Sequence, residues 1–495
     1  MKIYTCALDA LDCILVEVEV EILRGLPSFS IVGLGDQSVH EAKDRIKVAI
    51  KKTGFEFPIH KIIVNLAPAY IKKHGTIFDL PIALSLLEAS GQLKIPDMKI
   101  FCIGEVMLSG KLRGVKGVLP IIEFAKNKGF KRVLIPKANE KEAELITGID
   151  VHLVNSLQEI VFWLQGKTEL EKVQHNKKIQ KQKQNNSINF DSIYHHEIPK
   201  RALEIAITGG HHIAMIGPPG TGKTMLAKAC NSISPPLTFD EIFQLSKVYS
   251  VAQTEKSPVL IRPFRHVHHS TTLCTLLGGG NPLKLGEITL AHLGILFLDE
   301  FAEFPKKGVE GLREPLEEGS IRIGRSGKTS LLPADFQLIA AMNPCKCGYF
   351  GDTDHACKCT PYQINQYWKK ISGPIWDRID LVVDVNRIPS NKLINSPKKE
   401  SQKIQQRIKD ARNIQFKRQS KLNKKLTLKE LKLISPLDTK AQKYMQTIMD
   451  NMKLSPRSFI KLYRTARTIA DLEKSIHIKQ DHISEAIQYL SLIHI

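Results

Sequence analysis

Apolar residues recur along the chain with two different periods, and the change of period divides the chain into regions. Residues 1–165 alternate short apolar runs such as VEVEVEIL, FSIVGL and IHKIIVNLAPA with stretches of helical periodicity, including residues 39–52. Alternation every second residue is typical of half-buried strands, whereas repeats of three and four residues are typical of amphipathic helices. A mixed α/β domain is therefore predicted for residues 1–165.

A second α/β pattern covers residues 191–387, and a helical pattern covers residues 388–495. The runs HIAMIG, GILFLDE and FQLIAAMN are apolar without alternation, which is typical of parallel strands buried on both faces. After residue 388, segments such as SPRSFIKLYRTARTIADLEK have helical periodicity and almost no strand-like alternation. Residues 166–190 are rich in Lys, Gln and Asn, which favours a solvated polar linker between the two α/β domains.

Length and composition agree with this division. A chain of 495 residues is expected to hold about three domains of roughly 100–200 residues each. With 42% hydrophobic and 24% charged residues, wholesale disorder and a fibrous class are excluded. No apolar run reaches the roughly 20 residues of a membrane span, and the N-terminus lacks a secretory pattern. The chain is therefore expected in the cytoplasm, without a membrane partner.

The net charge of +21 suggests a polyanionic partner such as nucleic acid, although a solvated basic surface is the alternative. The surplus is unevenly placed. Residues 388–495 carry 23 basic and 9 acidic residues, whereas residues 191–387 carry 21 and 20. We infer an outer basic surface in the helical domain, including Lys421, Lys424 and Lys425, that captures DNA.

Residues 217–224 read GPPGTGKT, which matches the G-x-x-x-x-G-K-[ST] phosphate loop between an apolar strand and a helix-competent run. Glycines in such a loop turn backbone N–H groups onto phosphates, the lysine places a cation on the β- and γ-phosphates, and the threonine hydroxyl binds Mg²⁺. The predicted ATP-binding residues are Gly217, Pro218, Pro219, Gly220, Thr221, Gly222, Lys223 and Thr224.

Further candidate catalytic residues follow the apolar strands. Asp299 and Glu300 end the run GILFLDE, at the strand edge where ligands bind in open α/β sheets. Asp299 is predicted to bind Mg²⁺ with Thr224, and Glu300 to polarise the attacking water. Asn343 ends the next strand, where it would orient the water or contact the γ-phosphate, a simple turn asparagine being the alternative.

Two arginines are candidates for stabilising negative charge that develops on the γ-phosphate. Arg378 lies in SGPIWDRIDL, and Arg457 lies in LSPRSFI at the expected start of a helix. Phosphoryl transfer is accelerated by an arginine at the γ-phosphate, often from a neighbouring subunit. An ordinary surface position is the alternative for either residue.

These motifs occur in an order that closely resembles the magnesium-chelatase-like AAA+ ATPases, specifically the ComM/YifB type. The resemblance rests on GPPGTGKTMLAKA, GGGNPLKLGEITLAHLGILFLDE, LREPLEEG, AAMNPCKCGYFG and SGPIWDRIDL, and on GLPSFSIVGLGDQSVHEAKDRIKVAI near the N-terminus. It implies a homo-hexameric ring that forms with ATP and DNA, with Asn343 as sensor 1, Arg378 as arginine finger and Arg457 as sensor 2. It also implies a DNA helicase that promotes branch migration while transforming DNA is integrated, with recombination proteins as further partners.

In the first domain, the segment GEVMLSGKLRGVKGVLPIIEFAKNKGFKRVLIPKANEKE resembles the ribosomal-S5-like fold shared with the proteolytic domain of Lon. Peptide hydrolysis of the Lon type needs a serine nucleophile and a lysine. Those positions align near Phe78 and Leu119, neither of which can perform the chemistry. The expected fold is therefore an S5-like α/β domain without a protease dyad, an AAA+ phosphate-loop domain and a helical lid.

The segment GSIRIGRSGKTSLLPADFQ is predicted to form a β-hairpin with Arg322, Arg325 and Lys328 around its tip. In related ring motors this hairpin projects into the pore, where cations suit sequence-independent phosphate contacts. An ordinary solvated hairpin is the alternative. His266, His268 and His269 have no carboxylate or cysteine near them in sequence, which favours loop or nucleic-acid contacts over a metal site.

Cys345, Cys347, Cys357 and Cys359 form two CxC pairs just after Asn343. Four thiolates satisfy tetrahedral Zn²⁺, which would staple a loop too short to have its own core. Reduced thiols and a redox pair are the alternatives.

Two functions are consistent with the sequence. The favoured one is an ATP-driven DNA translocase that uses ATP and Mg²⁺. The other is a chelatase-type or MoxR-like ATPase that remodels a protein partner.

Overall fold

The computed structural model describes residues 3–94, 99–174, 188–252, 258–280, 283–325, 328–388 and 400–490, with the backbone alone at residues 325 and 328. The chain forms two compact units. The first comprises residues 1–181, 238–260 and 280–284, and the second comprises residues 182–237, 261–279 and 285–495.

The first unit is built on an eight-stranded mixed sheet in the order β10-β9-β8-β5-β1-β2-β4-β3. Strands β1 and β2 form an antiparallel hairpin, and β3 pairs in parallel with β4 at one edge. The strands of this sheet are β1 (Ile3–Asp9), β2 (Asp12–Leu23), β3 (Ser28–Val32), β4 (Lys61–Ala67), β5 (Ile100–Cys102), β8 (Arg132–Pro136), β9 (Asp150–Val154) and β10 (Glu171–Lys172). A separate antiparallel pair is formed by β6 (Glu105–Val106) and β7 (Leu112–Arg113).

Helices of the first unit bury their apolar faces in its core. The sequence of α1 places Val39, Ala42 and Ile46 on one buried face, and Asp36 caps the helix by accepting a 3.0 Å hydrogen bond from the Val39 N–H. The helices are α1 (Gln37–Lys52), α2 (Asp79–Ala89), α3 (Val118–Asn127), α4 (Glu140–Ala143), α5 (Leu157–Leu164) and, from the later segment of this unit, α8 (Phe239–Ala252).

A five-stranded parallel sheet in the order β12-β15-β18-β11-β19 forms the centre of the second unit. Its strands are β11 (Ile213–Ile216), β12 (Phe264–Val267), β15 (Ile295–Leu298), β18 (Gln337–Met342) and β19 (Leu381–Asp384). The strands β11, β15 and β18 are buried along their full length, as their unbroken apolar runs predict.

Short elements and helices complete the second unit. The short strands are β13 (Gly278–Gly279), β14 (Lys284–Leu285), β16 (Ser320–Arg325) and β17 (Lys328–Pro333). The helices around the sheet are α6 (Glu197–Gly209), α7 (Lys223–Ile233), α9 (Leu273–Leu277), α10 (Glu287–Leu290), α11 (Lys306–Glu310), α12 (Arg313–Glu318), α13 (Pro361–Trp368) and α14 (Gly373–Trp376). The C-terminal helices are α15 (Ser401–Gln419), α16 (Leu428–Ile434), α17 (Thr439–Met452), α18 (Pro456–Leu472) and α19 (Gln480–Gln488).

The predicted mixed α/β architecture, parallel central sheet and helical C-terminal region are confirmed. The structure differs at the predicted domain boundaries. Strand β10 pairs with β9 inside the range predicted as linker, because Leu170 and Val173 on either side of it are buried. Residues 238–260, predicted within the second α/β domain, group with the first unit. No helix in the described ranges is long and apolar enough to cross a membrane.

Candidate nucleotide-binding site

The phosphate loop leaves β11 and runs directly into α7. Gly222 has φ 85°, a left-handed conformation that a side chain would strain. A Cβ on Gly217 would lie 2.1 Å from the Val385 carbonyl oxygen, so the close approach of these two backbones requires glycine there. The glycines of the motif are therefore explained by backbone geometry in the second unit.

The Lys223 ammonium lies inside this loop. Its Nζ donates to the carbonyl oxygens of Gly217 at 2.6 Å and Pro218 at 2.7 Å, and only 8% of the residue is exposed. Burial lowers the pKa of Lys223 to about 8, with the Asp299 charge acting in the opposite direction. A buried cation surrounded by loop backbone suits phosphate binding.

Thr224 and Asp299 come together as the sequence predicts. The Thr224 hydroxyl donates a 2.8 Å hydrogen bond to Asp299 Oδ2, which joins the start of α7 to the end of β15. A hydroxyl and a carboxylate at this spacing offer the oxygen ligands that Mg²⁺ prefers. The residues present therefore fit an Mg²⁺ site beside the phosphate loop.

Glu300 follows Asp299 in a left-handed conformation with φ 53°. Its Oε2 lies 2.7 Å from His269 Nδ1, and its ligand atoms group with those of His268 and His269. The sequence interpretation that no carboxylate accompanies these histidines is therefore wrong, since Glu300 supplies one from another strand. His266 lies 3.8 Å from Asp299 Oδ2, so the loop after β12 borders the acidic pair.

Asn343 also reaches this site. Its Oδ1 is 3.4 Å from Lys223 Nζ, because β18 lies next to β11 in the sheet and both strands end at the same edge. The loop that follows Asn343 is held by Trp368, whose Nε1 donates a 3.0 Å hydrogen bond to the Pro344 carbonyl oxygen. The sheet order thus brings together the phosphate loop, the acidic pair and the predicted sensor asparagine.

The two predicted arginines each pair with an acidic residue of the second unit. Arg378 pairs with Glu317, and Arg457 Nη1 lies 3.2 Å from Asp377 Oδ2. Within the described residues, neither guanidinium bonds to the phosphate loop. Lys461, one helical turn beyond Arg457 on α18, donates to the carbonyl oxygens of residues 376 and 379 at 2.9 and 2.8 Å. Helix α18 therefore holds the turn that carries Arg378.

The four cysteines after Asn343 form one cluster. The Sγ atoms of Cys345, Cys347 and Cys357 lie 3.3 to 3.7 Å apart, and all four ligand atoms lie within 4.8 Å of one another. Tetrahedral zinc with Zn–S bonds of about 2.3 Å requires sulfur separations of about 3.8 Å. Backbone N–H groups of Tyr349 and Lys358 lower the pKa of Cys347 to about 6. The spacing of the four sulfur atoms therefore fits Zn²⁺.

The predicted hairpin is present as β16 and β17, paired antiparallel from Ser320 with Pro333 to Arg325 with Lys328. Arg322 forms ion pairs with Glu314 at 2.9 Å and Glu318 at 3.1 Å. The side chains of Arg325 and Lys328 lie outside the described residues, so their role stays a prediction.

The inferred capture surface of the helical domain is not a set of unpaired cations. Lys421 lies 2.6 Å from Glu430 Oε1, and Lys424 and Lys425 both contact the Asp335 carboxylate, at 3.0 and 2.6 Å. The two carboxylates offset part of the charge of the three lysines and leave one net positive charge. The role of these lysines in DNA capture stays a prediction.

Sequence reasoning missed a buried polar network at the opposite edge of the central sheet. His211 Nε2 lies 2.8 Å from Thr468 Oγ1, and Asn423 Nδ2 donates to both Thr468 and Asp471. Arg418 forms a bidentate pair with Asp471 at 2.7 and 2.9 Å. These bonds tie the sheet to the C-terminal helices. Individual polar residues at helical positions give no sign of such a network, because their partners are distant in sequence.

A parallel sheet of this order, with the phosphate loop, paired acids and polar asparagine at one edge, defines a phosphate-loop ATPase domain of the AAA+ class. Comparison with known proteins narrows the class. Residues 189–393 match the family of magnesium chelatase subunit ChlI, residues 18–139 match a second ChlI family, and residues 398–490 match the ChlI C-terminal family.

Two curated relatives match nearly the whole chain, and a third matches about a third of it. The uncharacterized protein YifB of Escherichia coli is 38% identical over 484 residues, covering 96% of this chain and 94% of YifB. The competence protein ComM of Haemophilus influenzae is 37% identical over 501 residues, covering 99% and 97%. The DNA replication licensing factor Mcm2 of Drosophila melanogaster is 28% identical over 167 residues, 31% of this chain and 17% of Mcm2. This chain belongs to the magnesium-chelatase-like AAA+ proteins of the ComM/YifB type.

Proposed function

We propose that this protein is an ATP-driven DNA motor that works as a homo-hexamer and promotes branch migration of recombination intermediates during natural transformation. The observation that carries the proposal is the β16–β17 hairpin, inserted between the strand of the acidic pair and the strand of the sensor asparagine. In the proposed motor, the hairpin is connected to the strands that carry the acidic pair and Asn343, and hydrolysis at that site moves the hairpin.

The relatives support DNA as the substrate. ComM is a competence protein by name, and Mcm2 is a DNA replication licensing factor by name. In the proposed ring, Arg378 acts on ATP bound by the adjacent subunit, and Arg457 acts as sensor 2 from the helical lid. Among the described residues both guanidinium groups pair with carboxylates and neither bonds to the chain's own phosphate loop, which supports a role at a subunit interface. Recombination proteins are the proposed partners, in the cytoplasm.

Branch migration is the direct test of this function. The purified full-length chain is expected to hydrolyse ATP faster with single-stranded or branched DNA, and to resolve a labelled four-way junction only when ATP and Mg²⁺ are present. Changing both Arg325 and Lys328 to Ala is expected to remove most of the DNA-stimulated increment, measured against the variant's own rate without DNA. Hydrolysis that never responds to DNA, combined with an immobile junction, would favour a chelatase-type or MoxR-like remodeller of proteins.

We propose that the cysteine cluster binds structural Zn²⁺ through Cys345, Cys347, Cys357 and Cys359. Bound there, the ion closes the loop that begins two residues after Asn343. The purified protein is expected to contain about one zinc per chain by mass spectrometry. The double variant Cys357→Ser and Cys359→Ser is expected to lose the metal and to unfold at a lower temperature, since metal binding free energy contributes to folding.

The matched control changes Cys13 and Cys274 to Ser, which lie outside the cluster. This control should retain the zinc. A protein that is purified without metal and has all nine thiols titratable after unfolding would support reduced cysteines. Loss of two thiols on mild oxidation, reversed by a reductant, would support a redox pair.

A further inference from the structure

A groove crosses the first unit between β3, α1 and the segment before β4. We call it the α1 groove and define it by Phe29 on β3, Lys43, Lys47 and Lys51 on α1, and Phe57. Its volume is about 1170 Å³, which is above the range of about 300–1,000 Å³ for small-molecule pockets. A groove of this size suits a segment of polymer better than a single small ligand.

The three lysines form a row along one side of the groove. They are four residues apart on α1, so each lies about 6 Å along the helix axis from the next. Lys47 and Lys51 are exposed and Lys43 is half-buried. Among the described residues that line the groove, Glu56 is the one carboxylate. The groove therefore has a net positive charge.

This charge is local to the groove. Residues 1–165 carry 21 basic and 19 acidic residues, so the first region as a whole is nearly neutral. On α1 the acidic Glu41 faces Gln37 and Arg45, at 3.0 and 4.0 Å, and does not line the groove. Asp44, the other carboxylate of α1, lies three residues before Lys47 and does not line the groove, so it reduces but does not cancel the positive potential of the lysine row.

Aromatic rings lie directly beside the lysine row. Phe29 and Phe57 stack with centroids 6.2 Å apart and an interplanar angle of 28°. Lys47 Nζ lies 5.9 Å from the Phe57 ring centroid, so a cation and an aromatic surface occur at the same point. Both rings are half-buried, which fixes them while leaving part of each exposed. Fixed rings next to a row of cations are the two elements of a site for single-stranded nucleic acid.

We propose that the α1 groove binds single-stranded DNA independently of sequence, with Lys43, Lys47 and Lys51 on successive phosphates and bases stacked against Phe57. The proposal rests on the proposed function in one respect, since it takes DNA to be the ligand of the motor. It adds a second DNA site, in a different unit from the hairpin. An acidic peptide would form ion pairs with the lysines without stacking on the aromatic rings, so the aromatic pair favours nucleic acid.

The test is a salt titration of oligo(dT) binding by the full-length chain, followed by fluorescence anisotropy. For single strands the logarithm of the binding constant falls with the logarithm of salt concentration by about 0.7 per phosphate contact. Changing Lys43, Lys47 and Lys51 together to Gln is therefore expected to reduce the slope by about 2. At low salt the affinity is expected to fall roughly tenfold to hundredfold.

The matched control changes three exposed lysines of the same unit, Lys111, Lys116 and Lys141, to Gln. It removes the same charge and is expected to leave the slope of the wild type within error. Thermal unfolding of both variants identifies any loss of fold. A slope that falls equally in the two variants would show that bulk charge is responsible and would overturn the groove site.

A second variant tests stacking separately from charge. Phe57→Leu retains an apolar side chain and the lysine row, so the salt slope should not change, while the affinity for oligo(dT) should fall about fivefold or more. If the wild type binds DNA and both groove variants bind it equally well, the groove proposal fails and the motor proposal stands. If the wild type binds no DNA at any salt concentration, the proposed function fails, and the groove proposal with it.

Discussion

Replacing Lys223 with alanine is expected to weaken ATP binding by a factor of about 10² to 10⁴. The ammonium is buried in the loop and donates to two backbone carbonyl oxygens, from which it can turn to the β- and γ-phosphates. A hydrogen bond between charged groups contributes about 1.5–3 kcal/mol, so two such bonds account for about 3–6 kcal/mol. Titration with a fluorescent ATP analogue measures the loss directly.

Lys228→Ala is the matched control, because Lys228 is on the same helix α7 and is exposed. Its ATP affinity should equal that of the wild type. The lowered pKa of Lys223 gives a further check on the wild type. The ammonium is charged below about pH 8 and loses its proton above it, so ATP affinity should fall as the pH rises through that value. An unchanged affinity in Lys223→Ala would contradict the assignment of the phosphate loop.

The nucleotide site could be predicted from the sequence because its parts are local. A phosphate loop needs its glycines, lysine and threonine within eight consecutive positions. The loop as a whole follows an apolar strand and precedes a helix. What remains to be predicted is that Thr224 contacts Asp299 and that Lys223 contacts Asn343. Parallel strands that end at one edge of a sheet make both contacts expected.

Pairing between distant residues could not be predicted in the same way. Lys421, Lys424 and Lys425 look like unpaired charge in a basic segment, but Asp335, which pairs with two of them, is about 90 residues earlier in the chain. His269 likewise has no acidic neighbour in sequence, and the sheet brings Glu300 to it. Charge counts describe a segment, whereas the electrostatic role of a side chain depends on tertiary contacts.

The prediction of domain boundaries from the sequence met a related difficulty. Composition favours a linker from residue 166. In the structure β10 nevertheless pairs with β9, and the apolar residues Leu170 and Val173 on either side of β10 are buried. Helix α8 is an ordinary amphipathic helix by pattern, and the pattern does not specify which core it joins. Periodicity predicts the type of an element, and its partner depends on the rest of the chain.

Replacing Glu300 with glutamine is expected to reduce the rate of ATP hydrolysis by about 10² to 10⁴ while leaving ATP affinity close to that of the wild type. Glutamine retains the shape of the side chain and cannot take a proton from water. Thr224 and Asp299, which fit the Mg²⁺ site, do not depend on the Glu300 carboxylate for their 2.8 Å hydrogen bond. Glu300→Gln should therefore bind ATP without hydrolysing it at a normal rate, whereas Lys223→Ala should lose ATP binding itself.

A nucleotide that binds and is not hydrolysed should also hold the protein in its assembled state. Analytical ultracentrifugation of Glu300→Gln with ATP and DNA is expected to give a larger and longer-lived species than the wild type, which empties its sites by turnover. Glu303→Gln is the matched control, because Glu303 lies three residues further on and its carboxylate pairs with Lys370 at 2.7 Å. It should hydrolyse ATP at the wild-type rate. Loss of ATP affinity in Glu300→Gln equal to that in Lys223→Ala would mean that Glu300 supports the nucleotide pocket, and the water-activating role would then have to be assigned to another residue.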